Sequence, residues 1–154
     1  MILVAIGKTS ERELLFHRAI KVFRDITKMP QHLVALGHHG SGAPFIKGAD
    51  DINVSITHSG EYLCIALSKD KVGIDIQERK DIDFKKIATR YNFRAESLEE
   101  FYDKFTLSEA HAKVSGNGLA PSLHLADQIK GKVYHIIPNH TLSVVGEGES
   151  VFIF

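Results

Sequence analysis

The sequence predicts an α+β fold in which two related halves pack together. Two observations carry this. The order strand, helix, strands is followed by strand, helices, strands. Each half also opens with a short apolar strand that runs into a charged helix start, LVAIGKTSERE at 3–13 and VGIDIQERKDID at 72–83. No low-complexity linker divides the chain. The reading is one domain, 1–154, with subdomains 1–70 and 71–154.

The elements follow from local patterns. Ile2 to Ile6 reads as a buried strand. Ser10 and Glu13 form a capping-box pattern before a helix with Leu15, Ala19, Val22, Phe23 and Ile26 at helical spacing. Pro30 is expected to stop it. Residues 37–44, GHHGSGAP, read as a loop. Asn53 to Ile56 and Tyr62 to Ser68 read as a hairpin, turned by His58-Ser59-Gly60-Glu61.

VGIDIQ, 72–77, is the next strand. Asp83 caps a helix bearing Phe84, Ile87, Ala88 and Tyr91. Ser97 with Glu100 is a second capping box, and its helix passes Glu109 to end near Gly116 or Gly118. Strands are then expected at 122–129, 132–137 and 141–145, and a last one at 150–154.

Composition excludes several classes. The chain is 44% hydrophobic and 25% charged, which is globular rather than disordered. Nineteen Lys and Arg balance nineteen Asp and Glu, so nothing suggests nucleic acid. One cysteine, Cys64, allows no disulfide framework within the chain, and a reducing cytoplasm is expected. Cys64 lies in an apolar run and reads as core. No stretch reaches the roughly 20 apolar residues of a membrane span, and none reads as a signal peptide.

Three stretches could carry chemistry. In VGIDIQ, Asp75 and Gln77 point to one face of the strand and the isoleucines to the other. Two oxygen-bearing side chains on one face can hold a hard cation such as Mg²⁺, or simply face water. In KFTLSEAHAK, 104–113, Glu109 and Lys113 share a helix face, as would a surface ion pair. In NVSITHSGEY, 53–62, a Thr-His-Ser-Gly turn gathers hydroxyls, an imidazole and backbone N–H groups, a set that suits phosphate or an ordinary polar tip. No G-x-S-x-G elbow supports a Ser-His hydrolase. His32, His111, His124, His135 and His140 show no metal-ligand spacing, so no zinc site is expected.

Taken together, GAP (42–44), NVSITHSG (53–60), GIDIQ (73–77) and FTLSEAHAK (105–113) resemble the ordered motifs of the 4'-phosphopantetheinyl transferases, two-half, surfactin-synthetase-activating type. The resemblance spans about Leu36 to Leu119. It implies a 4'-phosphopantetheinyl transferase-like fold of two pseudo-twofold-related α+β halves, with the site between them in a monomer. It further implies Mg²⁺-dependent transfer of the 4'-phosphopantetheine arm of coenzyme A to a serine of an acyl or peptidyl carrier protein, releasing 3',5'-ADP. Such chemistry serves fatty acid, polyketide or nonribosomal peptide synthesis. Carried over by motif, Asp75, Gln77 and Glu109 are the metal ligands, with Mn²⁺ as an alternative ion. Glu109 is also the base for the serine, Lys113 meets the pyrophosphate, and Thr57 and His58 contact coenzyme A phosphates.

The chain departs from the motifs at three positions. Gln77 stands where a Glu is usual, and Ala43 and Ser108 stand where lysines are. Lys47 is a possible substitute for the first lysine. These departures motivate the alternative of a weak or inactive relative that binds coenzyme A or a carrier without transfer. The segment 78–94 holds six cations against three anions and is the expected docking surface for an acidic carrier protein.

Overall fold

A computed structural model describes residues 1–154, the side chain of residue 120 apart. The chain forms two compact units, residues 1–72 with 146–154, and residues 73–145.

The first unit is built on β1 (Ile2–Lys8), which is buried along Ile2 to Ile6. A 3₁₀ turn over Thr9–Glu11 leads into α1 (Arg12–Thr27). The Ser10–Glu13 capping box does not form, because this turn places Glu11 at the cap, with no side-chain bond. α1 ends two residues before Pro30, at Lys28 in the left-handed region (φ 58°), whose N–H bonds Arg24 O. β2 (Ala35–His38) and β3 (Pro44–Lys47) pair as a hairpin, so residues 37–44 are part strand and not simply loop. β4 (Asn53–Ser59) and β5 (Tyr62–Ser68) pair antiparallel from Asn53↔Ser68 to Ser59↔Tyr62. β4 therefore runs through His58 and Ser59, and the turn shrinks to Gly60-Glu61. Gly60 takes φ +57° there, as two-residue hairpin turns favour.

β9 (Ser150–Ile153) lies parallel to β1, which completes a four-stranded sheet in the order β4-β5-β1-β9. The apolar stripe of α1, with Leu15, Phe16, Ala19, Ile20 and Phe23, packs with Leu3, Ala5, Leu63, Ile65 and Leu67. Cys64 is fully buried and free, as a core residue would be.

The second unit begins on β6 (Val72–Glu78). Asp83 caps α2 (Phe84–Arg90) by accepting from Lys86 N. Ser97 caps α3 (Leu98–Ser115) by accepting from Glu100 N, and Glu100 returns a bond to Glu96 N. Gly116 ends α3 in the left-handed region (φ 72°). The strand expected over 122–129 is instead α4 (Leu119–His124) and a 3₁₀ turn, Ala126–Gln128. Pro121 sits in the first turn of α4, where its missing N–H costs nothing. Leu123 and Ala126 are buried there among Phe93, Phe101 and Tyr102. β7 (Lys132–Tyr134) stops short of Ile137 and pairs with β8 (His140–Gly146), giving the order β6-β8-β7. Pro138, which has no N–H to give a ladder, lies in the turn that ends the pairing.

α3 crosses β6 at contact distance. A Cβ built on Gly73 would lie 1.9 Å from Ala110 O and 3.0 Å from a methyl of Val114. The obstacle is helix backbone, so a side chain at 73 would push α3 away. Gly73→Ala is expected to destabilise the protein by about 3 kcal/mol, the upper end of overpacking costs, read as a lower urea midpoint. A midpoint within error of the wild type would mean that the helix does not need this approach.

Candidate functional site

Four of the six residues singled out in the sequence lie in the second unit. Asp75 is only 4% exposed, although it stands between Ile74 and Ile76 on a strand of mostly apolar residues. A carboxylate so placed needs partners. Gln77 is two residues along and on the same face, and its Nε2 donates to Asp75 Oδ2 at 3.2 Å. Lys113 Nζ lies 3.8 Å from Asp75 Oδ1 and donates to Ile74 O at 2.7 Å. The Gly73–Ala110 approach makes this possible. It sets one turn of α3 against β6, and a lysine three residues past the contact spans the remaining gap.

Glu109 adjoins Ala110 in the same turn and is half-buried. Burial pushes its carboxyl above the ordinary value, and Lys113, one turn on, only partly offsets this. Lys113 is thus the common neighbour of both acids. No hydrogen bond reaches the Glu109 carboxylate among the described residues.

Gln77 lies beside Asp75, and Asp75 and Glu109 have Lys113 as a common neighbour; carboxylate and amide oxygens are the donor types that hard divalent cations take. As oriented, Gln77 turns its amide N–H toward Asp75, and its carbonyl can ligate only after the amide rotates. Ser108 is fully buried, and its hydroxyl donates to Lys104 O of its own helix, so no cation is presented from this position.

Thr57 and His58 belong to the first unit. They are neighbours on β4 and leave it on opposite faces, Thr57 buried and His58 exposed. The hydroxyl and the imidazole therefore do not converge as residues of a tight turn would. Ala43 is exposed in the β2–β3 loop, and Lys47 lies on the same hairpin, its stem beside Gly37. In the segment 78–94, Arg79 is committed internally, donating to His140 O and to Thr141 Oγ1. Lys85, Lys86, Arg90 and Arg94 are exposed.

The sequence reading also passed over a cluster. Glu99, Asp103 and His135 come together in the second unit, although His135 showed no ligand spacing. Glu99 and Asp103 are i and i+4 on one helix, a visible half-signal, but His135 arrives from 32 residues further on.

No model of a known protein family matches the chain. Individual proteins do. The 4'-phosphopantetheinyl transferase gsp of Aneurinibacillus migulanus is 27% identical over 124 residues, 73% of this chain and 51% of that protein. The 4'-phosphopantetheinyl transferase psf-1 of Bacillus pumilus is 25% identical over 114 residues, 66% of this chain and 48% of its own. The 4'-phosphopantetheinyl transferase Sfp of Bacillus subtilis is 29% identical over 90 residues, 51% and 40% respectively. These relatives support the 4'-phosphopantetheinyl transferase superfamily. The chain spans about half the length of the curated relatives it matches. A mixed α and β architecture with several sheets agrees with such a transferase-like fold. No helix among the described residues is long and apolar enough to cross a membrane.

The raised Glu109 has a consequence for stability. A carboxyl that holds its proton more tightly when folded lets the native state bind more protons than the unfolded one, so it lowers stability as pH rises. The loss begins near the ordinary value of 4.5 and is complete above the folded one. In metal-free protein, Glu109→Gln is expected to raise the melting temperature at pH 7 and to leave it unchanged near pH 4. An equal gain at both pH values would assign the effect to packing rather than charge.

Proposed function

We propose that the protein is a 4'-phosphopantetheinyl transferase of the short, two-half type, which moves the phosphopantetheine arm of coenzyme A to a serine of an apo carrier protein. The observation that carries this is the Asp75–Gln77–Lys113 constellation on β6 and α3 with Glu109 beside it. It uses the motif positions of a superfamily that the relatives support independently.

The reaction forms a bond between the serine oxygen and the phosphorus that carries the pantetheine. It breaks the bond from that phosphorus to the bridging oxygen, which leaves on 3',5'-ADP. Mg²⁺, held by Asp75, Glu109 and the rotated amide of Gln77, would supply charge neutralisation on the pyrophosphate; Mn²⁺ has the same ligand preferences here. Glu109 takes the serine proton. Lys113, anchored on Ile74 O, offers its charge to the departing phosphate. His58, exposed on β4, is the better candidate of the Thr57–His58 pair for a coenzyme A phosphate. Gln77 in place of a carboxylate removes one negative charge, which weakens the hold on the cation.

The exposed face of α2 is the proposed carrier-docking surface. Lys86 and Arg90 line a shallow groove there with Asp83 and Ile87, and Lys85 and Arg94 flank it. Acidic carriers would be steered to it, with salt weakening the encounter. The proposed setting is the cytoplasm and the proposed state a monomer, where a lone buried Cys64 needs no oxidising environment.

Mass spectrometry of apo-carrier proteins incubated with this protein, coenzyme A and Mg²⁺ tests the reading. The phosphopantetheine arm should appear on at least one carrier, and Glu109→Ala should lower the rate at least about 100-fold, as for loss of a charge-stabilising group. Gln77→Glu should lower the Mg²⁺ concentration needed for half-maximal rate. Coenzyme A binding with no mass gain on any carrier would favour a binding protein that does not transfer, the reading that Gln77, Ala43 and Ser108 motivate. In the same assay, charge reversal at Lys85, Lys86 and Arg90 should raise the KM for the carrier at least tenfold and leave that for coenzyme A alone. An unchanged carrier KM would remove α2 from the docking surface.

A further inference from the structure

We propose that Glu99, Asp103 and His135 form a second metal site, selective for zinc over magnesium, which clips the first half of α3 to the β7–β8 connection. The proposal is independent of the transferase reading, since none of its residues belongs to the motifs above.

One ligand atom from each of the three residues lies within 4.8 Å of the other two. The two carboxylates lie at different nitrogens of His135, so closing around one ion takes a rotation of one acid or of the ring. The donors come from two ordered elements. Glu99 and Asp103 share a face of α3, one turn apart. His135 follows directly on β7, whose register with β8 is set by Tyr134↔Leu142, and buried Ile137 anchors the chain two residues beyond it. The imidazole is thus held over the helix from outside it.

The charges around the cluster do not balance without a cation. His135 Nε2 lies 2.7 Å from Asp103 Oδ1, and its Nδ1 lies 3.4 Å from Glu99 Oε1. Even an imidazolium that donates from both nitrogens offsets only one of the two carboxylates. No lysine or arginine approaches either acid among the described residues. The neighbouring Lys104 is taken up by Glu100, Asp127 and Arg94 O. A divalent ion bound to neutral His135 and both carboxylates brings the group to zero net charge. One imidazole nitrogen with two carboxylate oxygens suits zinc, whereas magnesium prefers an all-oxygen octahedron. The partial exposure of all three side chains leaves room for water at the remaining zinc position.

The test uses the full chain, free of any affinity tag and stripped with a chelator. Zn²⁺ is titrated against a chromophoric competitor, and thermal unfolding is followed with Zn²⁺ and with Mg²⁺. The wild type should bind one Zn²⁺. At a hundredfold excess over the dissociation constant it should melt about 5–10 °C higher, with no such shift from Mg²⁺ at the same concentration. His135→Ala and Asp103→Asn should each weaken Zn²⁺ at least tenfold and abolish the shift. Asp75→Asn should keep both, which separates this site from the proposed active site. His135→Phe, which keeps a ring over the helix, should keep the fold and still lose zinc. Zinc affinity unchanged in His135→Ala, or lost instead when His38 and His39 are replaced, would overturn the proposal, as would the absence of stoichiometric binding to the wild type.

Discussion

α3 lies on β6 as closely as it does because residue 73 has no side chain. With Ala110 O inside the space a Cβ would occupy, helix and strand meet backbone to backbone. That spacing decides what the nearby side chains can do. Lys113 reaches Ile74 O and Asp75 from one turn beyond the contact, and Glu109 is half-buried beside it. A wider gap would take Lys113 away from Asp75. The chemistry of the second unit thus depends on a packing distance.

The same helix carries two charge arrangements of different character. Near its C-terminal end, Lys113 faces the buried Asp75, with Glu109 one turn back along the helix. Near its N-terminal end, Glu99 and Asp103 face a single imidazole at the surface. Between them, Thr106 Oγ1 meets Ser143 Oγ at 2.7 Å and joins the helix to β8 in the buried layer. Aromatic packing around Phe101, with Phe84, Phe93 and Phe105 as neighbours, holds this half of α3 in place. Positioning by a packed helix is tighter than positioning by loops, and both acid pairs gain from it.

Much of the framework was legible in residue patterns. Asp83 and Ser97 cap their helices as their spacing suggested, because an N-cap bond joins residues two or three apart and needs no distant partner. The strand at 72–78 and the hairpin of β4 and β5 were equally local. The pattern misled where a local preference met a tertiary one. Ser10 and Glu13 spell a capping box, yet a 3₁₀ turn occupies the helix start. Residues 122–129 look apolar enough for a strand, yet Leu123 and Ala126 reach the aromatic core from helical turns. The His-Ser-Gly stretch reads as a turn, but full pairing with β5 draws Thr57 and His58 into a strand and separates their side chains.

By itself the sequence determined which residues have chemistry to offer and at what local spacing: the oxygens of Asp75 and Gln77 on one strand face, and Glu109 and Lys113 one helical turn apart. Both spacings are properties of the backbone period, so they need no fold. Only the tertiary structure decided that Gln77 turns its N–H toward Asp75, that Lys113 is shared by Asp75 and Glu109, and that Arg79 is spent internally. It alone brought His135 to Glu99 and Asp103. The pairs Lys113–Asp75, Arg79–Thr141 and His135–Asp103 lie tens of residues apart in the chain, and tertiary packing sets their distances, which no local period encodes.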